Sequence, residues 1–169
     1  RIWNAMIKMN QDPKDYGLIF DSISICLSKG LGCPAGSVLI GSHELIERAI
    51  RVRKILGGGM RQVGYLAACG IYALENNFLR LSEDHQKAIE IEKTLSKLSY
   101  IKKVEPVETN IVIFEINSKI SSQLFLERLN NKGVNIISMG DNKLRVVTHL
   151  DYDNLMHSRF LEILNELRF

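Results

Sequence analysis

Residues 23–27 (Ile23-Ser24-Ile25-Cys26-Leu27) form a strand-like run that stops at Ser28-Lys29-Gly30. A second such run, residues 37–40, follows after a stretch carrying Gly30, Gly32, Pro34 and Gly36. Both runs read as strands that need cover on both faces, the pattern of a parallel or mixed sheet packed between helices. Lys29 stands at the mouth of the first strand. Burial disfavours a charged ammonium, and a neutral amine is a nucleophile that can form a Schiff base with an aldehyde cofactor. By position alone, a lysine that reaches solvent at the strand end is the simpler account.

The remaining periodicity fixes an α/β class. Ile2, Trp3, Ala5, Met6 and Ile7 predict a short helix within residues 1–9, broken over residues 11–17 by Asp12-Pro13. Ser42 is an N-cap for a helix to about Lys54, with Leu45, Ile46, Ala49 and Ile50 on one face. Gly57-Gly58-Gly59 ends that helix and lets backbone approach a ligand or a neighbouring subunit. A helix from about Gln62 to Leu79 carries Ala67, Ala68, Cys69, Gly70 and Ala73, and is expected to be central and buried. Ser82 is the expected cap of the next helix, whose core positions are Ala88, Ile89, Leu95 and Leu98.

From about Tyr100 strands and helices alternate. Residues 111–116 read as a buried strand, and Ser121 as the cap of a helix to about Asn131 with Gly133 at its C′ position. Residues 134–138 and 143–147 read as strands joined by a turn at Gly140-Asp141-Asn142. Asp151 is expected to cap a last helix with Leu155, Met156, Phe160, Ile163, Leu164 and Leu167 on its core face. This order is an α/β sandwich, and the expected domains are residues 1–81 and 82–169.

Composition narrows the partners. The chain has 169 residues and a net charge of +3, with its cations spread along the sequence. That argues against nucleic acid, which calls for a basic stripe or a recognition motif. No apolar run approaches the roughly 20 residues that a bilayer requires, so no membrane partner is expected. Cys26, Cys33 and Cys69 form no Cys-x-x-Cys and are odd in number, as for reduced, mostly buried thiols in a cytoplasmic protein. His43 and His85 fall near helix starts and read as surface residues. His149 and His157 lack metal-ligand spacing, so no metal is expected.

Four segments, in order, carry a resemblance. Asp21-Ser22-Ile23-Ser24-Ile25-Cys26-Leu27-Ser28-Lys29-Gly30-Leu31-Gly32-Cys33-Pro34-Ala35-Gly36-Ser37 closely resembles the cofactor-lysine segment of low-specificity L-threonine aldolases. Arg53-Lys54-Ile55-Leu56-Gly57-Gly58-Gly59-Met60-Arg61-Gln62 is similar to that family's glycine-rich loop. Arg1-Ile2-Trp3-Asn4-Ala5 and Leu144-Arg145-Val146-Val147-Thr148-His149-Leu150-Asp151 resemble its residues after an Asp-Gly-Ala triplet and its C-terminal arginine strand.

The resemblance implies the C-terminal part of a fold type I (aspartate-aminotransferase-like) pyridoxal 5′-phosphate enzyme. Residues 1–81 would close the large mixed-sheet domain, and residues 82–169 would form the small α/β sandwich. It implies Lys29 as the Schiff-base lysine, and Ser28, Lys54 and Arg61 as further cofactor contacts. Arg145 and Arg1 become the clamp on the substrate carboxylate, where a guanidinium fork offers two parallel hydrogen bonds. The bland readings are a turn serine, helix-end cations favoured by the dipole, and a solvated strand arginine. The implied reaction is retro-aldol cleavage of L-threonine or L-allo-threonine to glycine and acetaldehyde, in a homo-oligomer expected to be a dimer of dimers. The family's aspartate facing the ring nitrogen, stacked histidine and phosphate-binding loop belong to an N-terminal half. This chain is therefore expected to be a piece that does not catalyse alone. β-Elimination, transamination or racemisation on the same scaffold share Lys29 and Arg145, and a non-catalytic association domain is the reading from another class.

Overall fold

The computed structural model describes residues 1–169, in seven helices and six strands. The chain divides into two compact units, Arg1–Leu81 and Ser82–Phe169.

In the first unit, α1 (Ile2–Met9) is followed by α2 (Pro13–Ile19). The segment expected to break the helix instead starts a second one. Pro13 sits at its first position and the Asp12 side chain accepts from Lys14 N at 2.9 Å, a favourable start because proline's missing N–H would be unpaired there anyway. Strands β1 (Ser22–Cys26) and β2 (Ser37–Gly41) pair antiparallel, Cys26 opposite Ser37. The pairing excludes a purely parallel sheet at this level and is compatible with the mixed sheet expected. The intervening turn is short enough to return the chain directly, and β2 leaves Val38, Leu39 and Ile40 exposed.

Ser42 caps α3 (His43–Ile55), its hydroxyl accepting from Leu45 N at 3.3 Å. Helix α4 (Gly64–Asn76) corrects the expectation of a buried helix: Gly70 and Ala73 are buried, while Tyr65, Ile71 and Tyr72 are exposed. The small residues serve one side only. A Cβ on Gly70 would stand 3.1 Å from Leu27 Cδ1, so the helix approaches the end of β1 closely there. Leu27, Leu31, Cys33 and Ala73 form this unit's buried cluster, with Trp3 and Phe78 packed on it edge to face.

The second unit is built on α5 (Leu81–Leu95), which starts one residue before the expected cap, so Ser82 lies in its first turn. Its buried stripe runs through Leu81, His85, Ala88, Ile91 and Leu95 at three- and four-residue spacing. His85 is therefore buried, not on the surface, because it falls on that stripe. Strands β3 (Ile101–Val104), β4 (Ile111–Ile116), β5 (Ile137–Gly140) and β6 (Lys143–Val147) form an antiparallel sheet in the order β3-β4-β6-β5. The strand expected over residues 134–138 begins later, at Ile137, after the turn that Gly133 closes at a φ of +81°.

Helices α6 (Ser122–Asn130) and α7 (Asn154–Glu166) complete the unit. Ser121 is the N-cap of α6 without a side-chain hydrogen bond. Asp153, not Asp151, caps α7, accepting from Met156 N at 2.7 Å. A turn from His149 O to Tyr152 N at 2.9 Å takes up the residues between, and so delays the helix. Phe114, Phe125 and Leu129 are fully buried with Ile91, Leu144, Ile163 and Leu164 in a single core. Tyr100 and Phe169 join the Phe125 ring at 5.9 and 5.5 Å. No helix of the chain is long and apolar enough to cross a membrane.

Candidate active site

Backbone bonds fix the turn after β1. Leu27 N donates to Gly36 O at 3.0 Å, Cys33 N to Leu27 O at 3.3 Å and Gly32 N to Lys29 O at 2.8 Å. Gly32 adopts a φ of +77°, which glycine reaches without cost. A Cβ on Gly30 would meet Leu81 Cδ2 at 2.9 Å and Asn4 Nδ2 at 3.1 Å, so no larger side chain fits beside Lys29. The Trp3 indole donates to Cys26 O at 3.2 Å and ties α1 to the strand end.

Lys29 itself is exposed, as is Ser28, which corrects the picture of a lysine buried at the strand mouth. Its Nζ donates to Cys26 Sγ at 3.2 Å. The thiols also differ from expectation: Cys33 is buried, Cys26 half-buried and Cys69 exposed. Arg1 lies at the N-cap of α1.

At the end of α3, Gly57 turns at a φ of +76° while its N–H and that of Gly58 return to Lys54 O and Arg53 O at 3.1 and 2.8 Å. Lys54 and Arg61 are exposed on either side of this loop. Their charges face solvent beside backbone that glycine keeps bare, a surface open to an anion.

Arg145 belongs to the second unit. On β6 it stands opposite Ile113 of β4 and Ile137 of β5, while its neighbour Leu144, opposite Phe114, is in the core. Its Nε is buried without a hydrogen-bond partner. Such a donor calls for an acceptor from outside the chain. Arg145 lines a cavity of about 440 Å³ with His149, Tyr152, Met156, Arg159 and Phe160. Beside it, the His157 ring lies between the Tyr152 hydroxyl and Glu90, a group that sequence reading did not single out because its members are far apart in the chain.

The sequence expectations thus fall into two sets. Lys29, Ser28, Arg1, Lys54 and Arg61 belong to the first unit and Arg145 to the second. Cys26, against the lysine amine, is an addition that strand alternation could not have revealed. Within the first unit, an accessible primary amine and two exposed cations beside the glycine loop suit an anionic aldehyde; within the second, a buried guanidinium N–H lacking an acceptor suits an anion.

An α/β chain with an accessible lysine behind a strand-ending glycine turn has the fold of about half of a fold type I enzyme. The threonine aldolase structure from Leishmania major superposes with a TM-score of 0.74 over 98% of this chain and 49% of that one, at 18% identity. Residues 1–119 match the family described as Beta-eliminating lyase, and the chain belongs to that family. Among named relatives, low-specificity L-threonine aldolase 1 of Arabidopsis thaliana is 38% identical over 88% of this chain. The low specificity L-threonine aldolase of Escherichia coli K12 is 42% identical over 89% of it. The chain spans 42% and 44% of the length of those two relatives.

Proposed function

We propose that the protein to which this chain belongs cleaves L-threonine or L-allo-threonine to glycine and acetaldehyde with pyridoxal 5′-phosphate, the cofactor that its family membership implies. The observation that carries this reading is the solvent-accessible amine of Lys29, held by a glycine turn that admits no side chain at Gly30. The similarity to named threonine aldolases along most of the chain supports it. When bound, the cofactor supplies an electron sink for the carbanion left at Cα. Lys29 would hold its aldehyde carbon, with Ser28, Lys54 and Arg61 donating hydrogen bonds or charge to it.

The chain's own residues bind and orient. Arg145, with its unpaired buried Nε–H, takes the substrate carboxylate, and Arg1 adds a second cation. A carboxylate clamped this way fixes the direction of the Cα–Cβ bond, which is worth more to the reaction than affinity alone. The β-hydroxyl must lose its proton as that bond breaks, and the Lys29 amine would stand beside Cα as the chain's own group able to hold a proton there.

Residues 1–81 then belong to the large cofactor-binding domain and residues 82–169 to the small one. The exposed apolar positions Val38, Leu39, Ile40, Ile71 and Tyr72 call for cover by other polypeptide; a cytoplasmic homo-oligomer, a dimer of dimers, is what the family resemblance implies. A second reading, β-elimination, is favoured by the description of the family that residues 1–119 match. Products from the full-length polypeptide incubated with L-threonine separate the two. Glycine and acetaldehyde, lost in Lys29→Ala, are expected; a 2-oxo acid and ammonia would replace the aldolase reading with elimination.

A further inference from the structure

Lys29 Nζ and Cys26 Sγ stand 3.2 Å apart, and the pair is held by structure on both sides. Cys26 is fixed by its ladder position opposite Ser37 and by the Trp3 indole on its carbonyl. The Gly32 N–H on the Lys29 carbonyl fixes the turn from which the lysine side chain extends. Cys26 is half-buried and Lys29 exposed, so neither residue is closed off from a small oxidant. The other thiols lack this arrangement. Burial raises the pKa of Cys33 and keeps it in the unreactive thiol form, its S–H pointing to Cys69 O at 3.6 Å.

We propose that Cys26 and Lys29 form an oxidative cross-linking site, in which hydrogen peroxide and these two side chains yield an S–N bond. The Cys26 sulfur gives two electrons to the peroxide, whose O–O bond breaks, leaving a sulfenic acid and one water. The Lys29 nitrogen lone pair then attacks that sulfur. The S–O bond breaks, and the departing hydroxide takes a proton from the nitrogen as a second water. Condensation of a sulfenic acid with a nearby nitrogen is established cysteine chemistry, and added thiol reverses it. The consequence rests on the reading of Lys29 as the cofactor lysine: the cross-link occupies the amine that the cofactor aldehyde needs. The cofactor-free protein would be locked by peroxide, and the loaded protein spared.

Mass spectrometry of tryptic digests tests this on the chain before and after peroxide treatment, without cofactor. The cross-linked product is expected as one peptide running through Lys29 uncut, lighter by two hydrogens and restored to normal cleavage by dithiothreitol. It should be missing from Cys26→Ser. Cleavage at Lys29 with oxygens added to Cys26, or a disulfide from Cys26 to Cys33 or Cys69, would overturn the proposal. A second sample, loaded with pyridoxal phosphate in the full-length polypeptide and reduced with borohydride, reads the cofactor role separately. Cofactor mass on the Lys29 peptide and no cross-link after peroxide is expected. Loss of the cofactor mass alone would remove the consequence for the cofactor and leave the S–N chemistry standing.

Discussion

His157 Nε2 lies 2.8 Å from a carboxylate oxygen of Glu90, joining α7 to α5 across 67 residues of sequence. The other ring nitrogen meets the Tyr152 hydroxyl at 3.1 Å. Both ring nitrogens of this buried histidine are therefore used. His157→Ala strands the Tyr152 hydroxyl and is expected to cost about 1–3 kcal/mol in urea melts.

The same contact predicts a pH dependence. The Glu90 carboxyl is held below the usual carboxylate range, first by the hydrogen bond from Gln86 and then by that from His157. A carboxyl depressed in the folded state stabilises it above the ordinary value, and that stabilisation fades as pH falls through the folded value. Glu90→Gln should therefore be less stable at neutral pH and converge on the parent protein in acid. Parallel stability curves through that window would refute the assignment.

Phe125 is fully buried and touches the rings of Phe114, Tyr100 and Phe169. Truncating it leaves a cavity at the centre of the second unit's core. Phe125→Ala is expected to lower stability by about 3–5 kcal/mol, measured by denaturant unfolding.

Gly30→Ala tests the turn that holds Lys29. The new methyl would press on Leu81 and Asn4, both of them buried, and overpacking of this kind costs about 1–3 kcal/mol. A drop in melting temperature with weaker cofactor retention is expected. An unchanged protein would mean that the neighbours yield freely.

Arg145→Lys keeps the charge and removes the fork and its Nε–H. In the full-length polypeptide the KM for L-threonine should rise roughly 10- to 100-fold, the worth of one charged hydrogen bond. An unaltered KM would take Arg145 out of carboxylate binding.

Much of this architecture is legible in sequence where local chemistry decides it. The Ser42 cap, the strand over residues 111–116 and the Leu144/Arg145 alternation all follow from side-chain period and capping. Other elements depend on what the chain meets later. Asp12-Pro13 reads equally as a break or as a helix start, and only the bond from Lys14 N decides. The short strand β3 carries two lysines between Ile101 and Val104, a weak apolar signal that pairing with β4 overrides. Helix α4 has the composition of a buried helix, yet most of it faces outward here. Within the candidate site, motif resemblance points to Lys29 and Arg145 as residue types. It says nothing of the thiol against the amine, because strand period gives direction without distance. The Glu90–His157 pair leaves no local trace.

The two buried clusters are unequal, and that has a kinetic consequence. The second unit gathers aromatic rings and aliphatic side chains from a sheet and three helices, whereas the first rests on Leu27, Leu31, Cys33, Ala73 and a few partners around a two-stranded ribbon. Few buried apolar contacts and exposed backbone bonds mark segments that open at low free energy. Amide protons of β1 and β2 should exchange with deuterated solvent well ahead of those in β4 and β6. In these 169 residues taken alone, the strand that carries the lysine turn would then breathe on its own, while the sheet that carries Arg145 opens only when its unit unfolds.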